Sequence, residues 1–104
     1  MSVQHPLRII RATGFWQRFR GLMWTNALPA DQALLIQRCA SVHTFFMRFA
    51  LDVVYLNKQM QIVKLEMNVP PWRMSWGGSG ARHTLEMAAG GIDRFELHMG
   101  DTID

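Results

Sequence analysis

The chain has a single cysteine, Cys39, and so can form no internal disulfide; a reducing compartment suits it best. It also lacks a long hydrophobic run. The richest apolar stretch, 45–56, is broken by Arg48 and Asp52, whereas a bilayer span needs about 20 mostly apolar residues. The opening residues Met1-Ser2-Val3-Gln4-His5-Pro6 offer neither the basic stretch nor the apolar run of a secretory signal, so a cytoplasmic location and no membrane partner are expected. Acidic residues are few, 8 against 11 Lys and Arg, giving a net charge of +3. Lysine is scarcer still: only Lys58 and Lys64 stand beside nine arginines. Arginine's planar fork suits bidentate recognition of carboxylate or phosphate, yet so small a net charge does not call for nucleic acid, which is not the expected partner.

What is present is enough apolar matter, 49% of 104 residues, for one core, and residues 1–104 are expected to form a single domain. Leu7 to Arg11 reads as a short strand. From Phe15 to Met23 the apolar positions Phe15, Phe19, Leu22 and Met23 follow helical spacing behind a candidate cap at Thr13, with Arg18 and Arg20 on the other side. Ala33 to Ile36 is a short buried strand, and Arg38 to Thr44 reads as loop. Leu51 to Leu56 and Met60 to Val69, joined by Asn57-Lys58-Gln59, predict a β-hairpin whose second strand turns Val63, Leu65, Met67 and Val69 inward. Pro70-Pro71 ends it, and a loop runs to about Gly80. His83 to Met87 is a further strand, Gly91 to Leu97 holds one or two helical turns, and Thr102-Ile103 forms a last edge strand. The expected class is mainly β, a β-rich α+β fold. It would be a small antiparallel barrel or sandwich with one helix in the N-terminal half and one short C-terminal helix.

Chemistry-bearing residues concentrate in Cys39-x-x-x-His43-Thr44-Phe45-Phe46-Met47-Arg48-Phe49 and Leu51-Asp52-Val53-Val54. Glu66, Pro71-Trp72-Arg73, Leu85-Glu86 and Gly100-Asp101 follow, and Gly21-Leu22-Met23 precedes them. Across nearly its whole length this ordered set resembles the family called domain of unknown function 192, uncharacterised bacterial and archaeal proteins. The chain departs from it at Ala50 and Ala88, where the family commonly has proline. The resemblance implies a compact β-barrel or sandwich and a set of candidate residues, with no established activity.

Cys39 and His43 have the residue types of a thiolate–imidazole pair, which would serve a hydrolase or transferase. A free cysteine is as readily a small buried apolar residue. Metal binding would draw on Cys39 and His43 with His83, His98 or Glu66, but the four-ligand spacing of a structural zinc site is missing, and no metal is expected. No cofactor is expected either, since Trp76-Gly77-Gly78-Ser79-Gly80 matches neither the P-loop nor the dinucleotide glycine pattern. Phe45, Phe46 and Phe49 read as core. Arg48 and Asp52, costly to bury alone, are expected to pair with each other or with Glu66. Trp72-Arg73, stiffened by two prolines, would clamp a ring or an anion, or else plug the end of the barrel.

These features favour a small-molecule binding domain. Its small anionic or polar ligand would sit at one barrel end among His43, Met47, Arg48, Asp52, Glu66, Trp72 and Arg73. The alternatives are the Cys39/His43 enzyme and an interaction module that shows Trp76, Arg18 and Arg20 to a protein or nucleic acid.

Overall fold

The computed structural model describes residues 7–11, 29–45 and 47–103. The helix expected over Phe15–Met23, with its Thr13 cap and its Arg18 and Arg20 face, lies outside the described residues. The elements in chain order are β1 (Arg8–Arg11), β2 (Gln32–Ile36), β3 (Ser41–His43), β4 (Leu51–Leu56), β5 (Ile62–Val69), β6 (Met74–Trp76), β7 (His83–Ala88) and α1 (Gly91–Arg94). Five strands form one sheet in the order β1-β2-β7-β4-β5, and β3 pairs with β6 in a separate ribbon. The β1–β2 pair is parallel and the other pairs are antiparallel. Among the described residues the large sheet ends at β1 on one side and at β5 on the other, and these two strands do not pair to close it. The architecture is therefore the sandwich-like alternative rather than a closed barrel.

The β4–β5 hairpin forms where the β-branched run Leu51 to Leu56 meets turn chemistry at Asn57. The Asn57 side-chain oxygen accepts the main-chain N–H groups of Gln59 and Gln61, each at 2.9 Å, which closes the turn and presents Lys58 at its tip. The expected alternation along β5 does not survive pairing. Its register against β4 shifts between Leu51 and Val53 and again between Tyr55 and Leu56. Leu65 consequently packs on one cluster and Val63 and Val69 on the other, while Met67 is 51% exposed. Bulges of this kind occur at sheet edges, and β5 is an edge strand. The expected final strand at Thr102-Ile103 is reduced to an isolated bridge between Gln61 and Thr102.

Each face of the sheet is covered. Leu35, Val54, Leu56, Leu85 and Met87 lie against Ile92, Phe95 and Leu97 in and after α1. A Cβ on Gly91 would meet the Met87 side chain at 2.6 Å, so the close approach of α1 to β7 depends on glycine there. The other face, with Leu51, Val53 and Tyr55 at its centre, lies under the β3–β6 ribbon. The Tyr55 and Ser75 hydroxyls bond at 2.6 Å and fasten ribbon to sheet. A Cβ on Gly77 would come within 2.6 Å of the Tyr55 ring, so the segment beyond β6 is seated on the core at Gly77. No helix among the described residues is long and apolar enough to cross a membrane.

Candidate functional site

At one end of the sheet, where β5 finishes and β4 begins, Thr44 joins two loops. Its hydroxyl donates to the Pro70 carbonyl at 2.6 Å and accepts the Arg73 N–H at 2.9 Å. Its main-chain N–H donates to Arg73 O at 2.8 Å, and its carbonyl accepts the N–H of Trp72 and of Met47 at 3.0 and 3.2 Å. Above this knot the His43 and Phe45 rings lie 5.0 Å apart, and Phe45 stacks on Trp72 at 5.9 Å. Trp72 holds a left-handed φ of 65° and is 57% exposed. At the same end Asp52, nearly fully buried, accepts N–H groups from Asn68, Gly90 and Ile92 at 2.8, 3.1 and 2.9 Å. Three donors to one carboxylate account for its burial and tie α1 to β4 and β5.

The residues expected to form one pocket are thus dispersed. His43, Trp72 and Arg73 meet at the Thr44 knot. Met47 is packed inside the apolar cluster at 3% exposure, Asp52 is held by main-chain donors, and Arg48 lies exposed just before Phe49. Glu66 on β5 pairs with Lys64 at 3.0 Å, and Lys64 Nζ also donates to Trp76 O at 2.6 Å. Cys39 sits toward the other end of the sheet, where its carbonyl accepts the Thr84 hydroxyl at 2.6 Å. Its thiol donates to Ser41 O at 3.0 Å rather than to the His43 ring. Among the described residues no group of three His, Cys, Asp or Glu side chains is arranged to hold a metal ion.

The opposite end of the sheet holds a cleft that the sequence does not flag, although His83 is among its candidate metal ligands. Where β2 runs out, the β4–β5 turn closes and β7 begins, Gln37, Arg38, Lys58, Arg82 and His83 line an open cleft of about 770 Å³. An adjoining cleft of about 390 Å³ shares Lys58 and Arg82 and extends over Gln59, Gly80 and Ala81. Two hydrogen bonds fix the cleft: main-chain Arg82 N–H to Leu56 O at 2.7 Å, and Arg38 N–H to the His83 ring Nδ1 at 3.0 Å. Arg38 itself is in a left-handed conformation, φ 57°. Burial first, then the charges of Arg82 and Arg38, holds His83 below the usual histidine range. Among the described residues the charged heads of Arg38, Lys58 and Arg82 have no acidic partner, in contrast to Lys64, which pairs with Glu66.

One buried acid stands between the two ends. Glu86 on β7 lies opposite Val53 and Leu34 and is 2% exposed, and burial pushes its carboxyl up to about 7. Burial likewise raises the neighbouring Tyr55 hydroxyl to about 12.

The chain belongs to the DUF192 family, described as an uncharacterized ACR, whose match runs from residue 2 to 104. A UPF0127 protein of Thermococcus sibiricus is 35% identical over 93% of this chain, which spans about 65% of that relative's length. Two solved structures share the fold, each at a TM-score of 0.78 over 92% of this chain. One is a protein of unknown function from Novosphingobium aromaticivorans, 18% identical over 73% of its own length. The other, from Sinorhizobium meliloti and provisionally described as a transcription regulator, is 22% identical over 79% of its length.

Proposed function

We propose that this protein binds a small anionic ligand in the cleft formed by Gln37, Arg38, Lys58, Arg82 and His83. The observation that carries this reading is that three cations without an acidic partner among the described residues line one concave site, in a chain whose net charge is only +3. Gathering like charges is unfavourable unless something compensates them, and an anion in the cleft does so. The strained backbone at Arg38 fits the same reading, since non-glycine residues in left-handed conformations cluster at ligand clamps. The ligand class agrees with the arginine-rich composition, but the location is the end of the sheet opposite Trp72 and Arg73. Isothermal titration with inorganic phosphate and with sulfate at low salt tests it. Arg38→Gln and Arg82→Gln should each weaken binding about tenfold, in line with a lost charge-assisted contact. Equal affinity in both variants would place the site elsewhere.

A second reading has its own observation. Trp72, Met74 and Trp76 are 57%, 52% and 58% exposed, and the latter two lie on the outward side of the ribbon. Exposed large apolar residues grouped together are a mark of a macromolecular interface. Pull-down with Trp76→Ser as the control separates this from the cleft, because that substitution leaves Arg38, Lys58 and Arg82 untouched.

A further inference from the structure

His83 opens β7 beside the cleft, and its Nδ1 accepts the main-chain N–H of Arg38 at 3.0 Å. A ring nitrogen that accepts an amide hydrogen carries no proton of its own, so the imidazole proton sits on Nε2. Protonating the ring would set N–H against N–H and break the bond that holds Arg38 in its left-handed turn. The charges that line the cleft around the ring, Arg82 beside it, Arg38 from the β2–β3 link and Lys58 from the β4–β5 turn, are all positive, and those of Arg82 and Arg38 also oppose protonation. With the His83 ring neutral, the cleft therefore presents three fixed positive charges and one neutral donor. Among its lining side chains only the Gln37 amide oxygen remains as an acceptor for a ligand's own O–H.

Resting on the anion-binding reading above, we propose that the occupant is the fully ionised phosphomonoester of a small soluble molecule. Arg38, Lys58 and Arg82 bind its phosphate, with His83 donating from Nε2. Two negative charges on one group match three cations that converge. A phosphodiester backbone, with one charge per unit, calls instead for cations strung along a surface. The adjoining cleft over Gln59, Gly80 and Ala81 gives room for the polar body that an ester carries. A site so rich in donors disfavours a singly protonated phosphate, whose O–H needs an acceptor.

The test is an NMR titration of labelled protein, reading the Arg38 amide and the His83 ring. The probes are inorganic phosphate, sulfate, ribose 5-phosphate and a dinucleoside phosphate diester. Inorganic phosphate, which loses its second proton near pH 7, should tighten roughly tenfold between about pH 6 and pH 8 as the competent fraction rises. Sulfate, doubly charged throughout, should stay within about twofold over the same range, and the diester should bind more weakly than ribose 5-phosphate. His83→Asn, which keeps an acceptor near the Nδ1 position but loses the Nε2 donor, should retain the Arg38 amide signal and bind phosphate about fivefold to tenfold more weakly. Sulfate that tightens strongly toward pH 6, or a diester that binds as well as the monoester, would overturn the proposal while leaving an anion site in place. If no probe perturbs Arg38, Arg82 or His83, the anion-binding reading itself falls, and this proposal with it.

Discussion

The two ends of the sheet use polar groups in opposite ways. At the Thr44 end nearly every polar contact is spent inside the molecule. One hydroxyl bridges the Pro70 carbonyl and the Arg73 N–H, and one carboxylate takes three main-chain hydrogens. At the cleft end the main chain is equally well tied, through Arg82 to Leu56 and Arg38 to His83, but the charged heads extend from it without acidic partners among the described residues. A dense motif in sequence can thus be a structural knot, while a cleft lined with cations can be assembled from positions 20 or more apart in the chain.

If that contrast is right, changes at the knotted end cost stability and changes at the cleft cost affinity. The largest loss is expected from Asp52→Ala. It strips the Asn68, Gly90 and Ile92 N–H groups of a charged acceptor, and should lower unfolding free energy by about 3–5 kcal/mol in urea melts. A loss under about 1 kcal/mol would mean that α1 is held by packing alone.

Glu86 sharpens the contrast, since it belongs to neither end. Its folded value near 7 lies above the unfolded carboxylate range, so the native state holds the proton more tightly. Its contribution is therefore fully present below the unfolded value and is lost as pH rises through about 7. Glu86→Gln, which mimics the protonated acid, should flatten that fall and be about 3 kcal/mol more stable than the parent near pH 8. The check is a set of denaturant melts between about pH 5 and pH 8 for both proteins. An unchanged slope would assign the pH dependence to another group.

Thr44→Val should cost about 2 kcal/mol, because it keeps the shape but leaves the Pro70 carbonyl and the Arg73 N–H short of a partner. The same variant should bind phosphate like the parent. A loss of anion affinity with little loss of stability would reverse the roles of the two ends.

The sequence carried the hairpin well. The β-branched run at Leu51 to Leu56 and the Asn57 turn are local signals, and they place β4 with the bounds observed. Strands β1, β2, β5 and β7 and the short helix after Gly90 also fell within a few residues of expectation. The ribbon was invisible because Ser41–His43 and Met74–Trp76 are three residues each and gain strand character only by pairing with each other. Met67 was misread because β5 slips register twice, and a bulge leaves no mark in an alternating pattern. Of the candidate site, Trp72 and Arg73 lie at the surface as a clamp would require, but Met47 and Asp52 were drawn inward by packing and capping. Lys58, Arg82 and His83 come from a turn, a loop and a strand end, and only the fold brings them to Arg38.

The most direct test of this division is the stabilisation that sulfate confers on two arginine variants, one from each end, measured by urea melts at fixed pH and low salt. A ligand that binds only the native state at a hundredfold excess over its dissociation constant adds about 2.7 kcal/mol. The parent and Arg73→Gln should both show a sulfate-dependent increase of similar size, and Arg82→Gln should lose most of it while matching the parent without sulfate to within about 0.5 kcal/mol. An increase that survives in Arg82→Gln and disappears in Arg73→Gln would contradict the account and return the anion to the Trp72 end.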